Sequence, residues 1–306
     1  MTKQKKMPKI NPLKTEREMS DFTNFLANQN FSTIEEANEF LQKTDPKVLS
    51  RLAKRKTKTK DEEAFDLVAS ACDESPEKGL EMVKKALEID PDCADAYLFL
   101  ANKTKDIDEA IELSKKAMTG ARKKLGEDVF KNDVGHFWGI VETRPYMRAK
   151  AGYAELLQLK KNYDAAVKEY QELLELNPND NQGNRDMLSC LLLQINRWRD
   201  YEQLYQKYPD EFSTLWLYNR ALFLYIRYGG VPRTIEALNQ AVECNPHVLD
   251  ILTGKKEPKL SKSDYYTVGS FEEASFYFSL TCNIWVKYPK AFRWMMIRWR
   301  LRENLN

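Results

Sequence analysis

The segments ELNP (175–178) and VECNP (242–246) close two similar stretches of the chain, and their prolines lie two periods of about 34 residues apart. Between Met147 and Pro246 the residue types recur with this period. Self-similarity of this kind predicts stacked structural units.

Apolar residues recur at helical spacing inside each unit. In the first unit Ala154 and Leu157 fall on one helical face, and Ala166 and Tyr170 fall on the face of the next helix. Spacings of three and four residues predict helices and not strands. Large and small residues alternate, as close packing of two helices requires. The sequence therefore predicts an all-α array of antiparallel helix pairs.

The repeat resembles the tetratricopeptide repeat, with Lys150 in place of its first aromatic residue and Thr234 in place of an alanine. The words ETRPYMR (142–148), NPNDNQG (177–183), AVECNPHV (241–248) and GSFEEA (269–274) are similar to bacterial relatives of the suppressor-of-tumorigenicity-seven family over about residues 136–290. This resemblance implies an α-solenoid and no reaction.

If the resemblance holds, the first helix of each repeat lines a concave face that binds an extended peptide or a helix of another protein. The family pattern then places these candidate protein-binding residues on that face: Arg148, Glu155, Gln182, Arg185, Trp216, Asn219 and Phe223. The leading hypothesis is a noncatalytic adaptor without a cofactor.

Composition shifts divide the chain into three parts: a mobile basic tail (1–14), an N-terminal helical segment with a basic linker (15–60), and a repeat array (61–306). Capping boxes at Thr15 and Thr33 predict two helix starts in the second part. The array has an irregular insertion near 120–139, and an arginine-rich and tryptophan-rich helix at the C-terminus is expected to cap its apolar end.

Charge is unevenly distributed along the chain. Residues 1–60 carry 14 basic and 7 acidic side chains, whereas residues 61–120 carry 7 and 16. Such asymmetry indicates either a charged partner surface or attraction between neighbouring segments.

No apolar run approaches the 18 or so residues of a membrane span, and no apolar stretch follows the basic N-terminus, so a cytoplasmic location is expected. The five cysteines are scattered and do not suggest a disulfide framework or a zinc site.

Two other functions remain open. The basic run at 54–60 and the C-terminal arginines could contact nucleic acid, although the run lacks aromatic residues for stacking on bases. His136 and Glu142 could act as a general base and its orienting acid, which requires a ligand-sized pocket between them.

Overall fold

The computed structural model describes residues 11–53, 58–259 and 266–303. Throughout these ranges the regular structure is helical and no β-strand is present, which confirms the predicted all-α class. The chain divides into two compact units, Met1–Asn181 (unit 1) and Gln182–Asn306 (unit 2). Residues 1–10 of the predicted tail, and 54–57 of the basic run, lie outside the described residues.

Unit 1 contains three antiparallel helix pairs preceded by three further helices. The pairs are α4 with α5, α6 with α7, and α9 with α10, and the first helices also touch in succession, α4 with α6 and α6 with α9. This is the order of packing expected for tetratricopeptide-like repeats. The helices are α1 Pro12–Ala27, α2 Ile34–Lys43, α3 Pro46–Ala53, α4 Lys60–Ala71, α5 Pro76–Ile89, α6 Ala94–Ala101, α7 Ile107–Leu125, α8 Val129–Asn132, α9 Arg144–Leu159 and α10 Tyr163–Leu176.

Unit 2 continues the same pattern. The helix pairs α11 with α12 and α13 with α14 are followed by a short helix and a final pair, α16 with α17. The C-terminal helix packs on α13 and α16, where Trp294 stacks on Tyr225 at 4.7 Å, so it caps this end as predicted. The helices are α11 Asn184–Ile195, α12 Trp198–Lys207, α13 Thr214–Tyr228, α14 Pro232–Cys244, α15 His247–Leu252, α16 Phe271–Lys287 and α17 Pro289–Glu303.

Glycines allow the closest helix contacts in unit 1. A Cβ at Gly79 in α5 would lie 2.9 Å from the carbonyl oxygen of Ala71, and one at Gly120 in α7 would lie 2.6 Å from that of Asp92. Both distances are too short for a carbon against a backbone oxygen. These glycines therefore let α5 approach the end of α4, and α7 approach the turn that precedes α6.

The N-terminal helix starts earlier than the sequence predicts. It begins at Pro12, inside the segment assigned to the tail, because the side-chain oxygen of Asn11 accepts hydrogen bonds from the backbone of Leu13 and Lys14. Asparagine is a strong N-cap, and proline at the first helical position needs no hydrogen-bond acceptor. The predicted cap at Thr33 is confirmed, since its hydroxyl accepts from the backbone N–H of Glu36 at 3.2 Å.

The irregular segment also differs from its predicted bounds of 120–139. Helix α7 continues to Leu125, and the irregular part then contains α8 and the 3₁₀ turns Phe137–Gly139 and Val141–Thr143. Phe137 is fully buried and packs edge-on against Phe130 and Tyr146. This aromatic cluster fixes the segment against the start of α9.

Candidate functional site

Arg148 in α9 lies at the centre of a network of ion pairs in unit 1. Its Nε and Nη2 atoms pair with both carboxylate oxygens of Asp95 in α6 at 3.0 Å, and its Nη1 lies 2.7 Å from both oxygens of Glu16 in α1. Arg144, one turn earlier on α9, lies 3.7 Å from Glu16. The guanidinium of Arg148 thus joins three helices from distant parts of the sequence.

Arg17 forms the second charged contact of α1, with helix α4. Its Nη1 lies 3.0 Å from Glu62 and its Nε lies 3.2 Å from Asp66, both on α4. One turn earlier, Lys14 pairs with Asp73 at 2.7 Å, and the amide of Asn11 donates to the carbonyl oxygen of Ala69 at 2.7 Å. We call the carboxylates and arginines that receive α1 the α1-binding face: Glu62, Asp66, Asp73, Asp95, Arg144 and Arg148.

The charges at the centre of this face are shielded from water. The side chains of Glu16 and Asp95 are 9% and 5% exposed, and that of Arg148 is 22% exposed. Burial acts to lower the pKa of Arg148, but the negative charges of Asp95 and Glu16 outweigh it and raise the pKa. Each buried charge therefore depends on its partners, because an unpaired ion in such a site is strongly destabilising.

A cavity of about 260 Å³ remains between α1 and the helices beneath it. From α1 it is bordered by Glu16, Arg17 and Ser20, and the hydroxyl of Ser20 reaches Glu142 only at 3.5 Å. The α1 helix therefore does not fill the groove. The remaining walls combine carboxylates and one lysine with less polar groups: Asp61, Glu62, Asp92, Asp95, Glu142 and Lys124, and Phe65, Cys93, Ala94, Ala121, Leu125, Val141 and Pro145.

Glu155 lies seven residues after Arg148, on the same side of α9. Its side chain is exposed, yet the surrounding protein removes part of its hydration and raises the pKa of its carboxyl group. The structure thus leaves a partly desolvated carboxylate at the surface, where a cationic group would be favoured.

In unit 2, Arg185 and Gln182 are partly exposed at the start of α11. Arg185 forms an ion pair with Glu211 and lies 5.3 Å from the centre of the Tyr208 ring. Burial acts to raise the pKa of Glu211, but hydrogen bonds from Ser213 and the charge of Arg185 outweigh it and lower the pKa.

The structure places the other three candidates of unit 2 in its core, which corrects the expectation that they line a surface. Trp216, Asn219 and Phe223 are 1%, 0% and 2% exposed. Trp216 stacks on Tyr205 and Phe223 stacks on Tyr201, and both of these tyrosines belong to α12. Residues of α13 that were expected to line a concave face therefore pack against α12 of the preceding repeat.

His136 and Glu142 do not share the cavity beside α1. Both side chains are exposed, and Glu142 borders the cavity beside α1 whereas His136 does not. The neighbouring rings have packing roles, since Arg144 donates to the carbonyl oxygen of Trp138 at 3.0 Å and lies over its ring. The cavity beside α1 therefore does not provide the pocket between His136 and Glu142 that the acid–base hypothesis requires.

The basic segments are only partly described. Lys58 of the basic run pairs with Asp66 on α4, next to the contact of Arg17. On α17 the side chains of Arg293, Arg298 and Arg300 are exposed. Of the helices the structure describes, none combines the length and the apolar character needed to cross a bilayer.

Sequence reasoning selected Arg148 but missed its partners Glu16 and Asp95. The available signal was the contrast between the basic N-terminal segment and the acidic segment that follows it. Lys14, Arg17 and Lys58 form ion pairs with carboxylates of the acidic segment. The charge contrast therefore reflects attraction between neighbouring segments of the same chain.

Comparisons with known proteins are sparse. No family model matches the chain, and no curated protein matches it. Among solved structures, the chain is similar to YrrB, described as a TPR protein with an unusual peptide-binding site, at 18% identity and a TM-score of 0.45. The match covers 63% of this chain and 90% of that chain. The fold assignment therefore rests on the helix pairs themselves.

Proposed function

We propose that the protein is a noncatalytic adaptor that binds another protein through the first helices of its repeats. One observation carries this proposal: the α1-binding face already holds a helix, through the pairs of Glu16 with Arg148 and of Arg17 with Glu62. A surface that orders one amphipathic helix by charge has the chemistry to bind a helix from a partner.

The candidate contacts of the adaptor differ in accessibility. Arg148 and Glu155 in unit 1, and Gln182 and Arg185 in unit 2, keep side-chain surface for a partner. Trp216, Asn219 and Phe223 instead support α13 from within. The proposed partner surface in unit 1 therefore includes the charged groups Arg148 and Glu155 on α9. In unit 2, Gln182 and Arg185 beside the start of α11 are separate candidates, and Trp216 is no longer one of the anchors.

The other parts of this proposal come from the sequence. The likeness to bacterial relatives of the suppressor-of-tumorigenicity-seven family implies a fold and supplies no reaction. A cytoplasmic location and the absence of catalysis belong to the same proposal.

Recovery of the tagged full-length chain from its native cells tests the adaptor role. We expect a stoichiometric protein that survives nuclease treatment and is lost from the Glu155→Lys variant. Glu88→Lys is the matched control, because it makes the same charge change at an exposed position on α5, the second helix of a pair. Recovery of nucleic acid, or of proteins that disappear with nuclease, would refute the adaptor and favour nucleic-acid association through the basic segments.

A further inference from the structure

Helix α1 is attached to α4 and α9 by charge more than by apolar burial. Of its 16 residues only Glu16 is buried, whereas α13 buries nine of its 15. Leu13 adds a partly buried contact with the core between α4 and α5. Phe22, Phe25 and Leu26 are also half-buried, and α1 packs on α3 and, through Phe25, on α2, so these two helices would move with it. Elements with few buried apolar contacts open at low free-energy cost, so α1 is held less firmly than the repeat helices.

The face beneath α1 does not depend on α1 for its structure. Helices α4 and α6 are held with α5 by a core that includes Ala64, Val68, Val83 and Ala96, all fully buried or nearly so. If α1 leaves, Arg148 keeps its two contacts with Asp95. The departure of α1 therefore exposes a preformed groove with Arg144 and Arg148 on one side and Glu62 and Asp66 on the other.

The fit between α1 and this groove is incomplete. The cavity of about 260 Å³ opens beside Ser20, whose short side chain leaves its walls uncovered; five of these walls are carboxylates, and Lys124, which pairs with Asp90, is the lysine among them. A longer basic side chain at the position of Ser20 would reach Glu142 and fill part of this space. A helix with such a residue would bind more tightly than α1 does.

We propose that the α1-binding face receives an amphipathic helix of a partner protein, and that this helix replaces α1. The helix carries an acidic residue for Arg144 and Arg148, followed by a basic residue for Glu62 and Asp66, in the manner of Glu16 and Arg17. A leucine-like residue three positions before the acid takes the place of Leu13. This inference rests on the proposed adaptor function, and it makes α1 an internal competitor for the partner.

A fluorescent peptide with the sequence of residues 11–28 tests the proposal against full-length protein. The Glu16→Lys variant places a third positive charge beside Arg144 and Arg148 and releases α1. Because a tethered helix competes at an effective concentration on the order of millimolar, we expect this variant to bind the peptide at least about tenfold more tightly than wild type. Glu18→Lys is the matched control, with the same charge change on an exposed position of α1, and it should bind as wild type does.

The peptide itself supplies a second comparison. A peptide with Ser20→Arg should bind the Glu16→Lys protein more tightly than the native peptide, and a peptide with Glu16→Lys should bind at least about tenfold more weakly. Equal affinities of all three peptides would overturn the assigned contacts. So would dimers of wild type that dissociate in Glu16→Lys, because the occupant would then be α1 of a second copy.

If Glu16→Lys fails to fold, amide hydrogen exchange of a second variant tests the displacement of α1 instead. The milder Glu16→Gln removes only the charge, and its α1 amides should exchange faster than those of wild type while α4 and α9 remain protected. Exchange of α1 only together with α4 and α9 would refute displacement.

The same variants separate this inference from the adaptor proposal. A partner recovered equally by wild type, Glu16→Lys and Glu18→Lys supports the adaptor and refutes displacement of α1. If the peptide binds as expected but no partner protein is recovered, the helix-binding chemistry of the face stands and the adaptor function fails.

Discussion

Replacing Arg148 by methionine removes the one cation that both Glu16 and Asp95 contact at 3.0 Å or less. Breaking a buried ion pair from one side costs about 3–5 kcal/mol, because the remaining charge stays buried. Glu16 can reach water if α1 detaches, but Asp95 is anchored in the first turn of α6. We therefore expect a loss near the lower limit, about 3 kcal/mol.

Urea unfolding followed by far-ultraviolet circular dichroism measures this loss. Five of the six tryptophans lie in unit 2 and Trp138 lies in unit 1, so tryptophan fluorescence mainly reports unit 2. Arg148→Met should move the circular-dichroism transition to lower urea and change the fluorescence transition little. Arg199→Met, at an exposed position of α12, is the control and should stay within about 0.5 kcal/mol of wild type.

A second substitution identifies the source of the loss. In the Arg148→Met background, Asp95→Asn removes the stranded charge and should restore at least about 1 kcal/mol, since neighbouring residues in one network couple by 0.5–3 kcal/mol. An Arg148→Met protein as stable as the control, or a further loss on adding Asp95→Asn, would contradict the network described here.

Three other predictions follow from burial. Trp216→Ala should destabilise unit 2 by about 3–5 kcal/mol in urea unfolding. Phe212 is 64% exposed, so Phe212→Ala should cost less than about 1 kcal/mol. Equal losses of stability in the two variants would contradict the packing of α13. Burial raises the pKa of the Cys93 thiol to about 11. At pH 8 we therefore expect iodoacetamide to modify the exposed Cys72 well before Cys93, as measured by peptide mapping. Equal rates of modification would count against the burial of Cys93. Burial acts to lower the pKa of Lys150, but Glu169 and Glu172 outweigh it and raise the pKa above the ordinary value of 10.5. The stabilisation that this shift provides is complete below that pH and is lost as the pH rises through the folded pKa. Between about pH 9 and pH 12 the urea midpoint should therefore fall more for wild type than for Lys150→Met.

Local signals in the sequence were sufficient for the helix pairs. Pro178 and Pro246 follow the ends of α10 and α14, as the repeat alignment predicts, and Pro91 follows the end of α5 in the same way. Helix α16 has a similar local cap, since the hydroxyl of Ser270 accepts a hydrogen bond from the backbone N–H of Glu273 at 3.1 Å. Periodicity, caps and prolines act within about one repeat of sequence, so they can be read without knowledge of the tertiary contacts.

The faces of the helices were harder to predict. In α13 the buried residues surround the helix, so its period does not distinguish a binding face from a packing face. The contacts of Glu273 were equally hard to predict. Its position three residues after Ser270 is typical of a residue in a helix cap, yet its carboxylate is buried and accepts hydrogen bonds from the backbone and hydroxyl of Thr214 in another helix pair.

The sequence by itself determined the all-α class, the repeat period, the prolines that close the repeats and the charge contrast between the N-terminal and following segments. Only the tertiary structure decided that Glu16 meets Arg148 across 132 positions of sequence, and that Trp216 lies inside unit 2. The physical reason is that hydrogen bonds within a helix are local, whereas ion pairing and burial depend on which helices become neighbours when the chain folds.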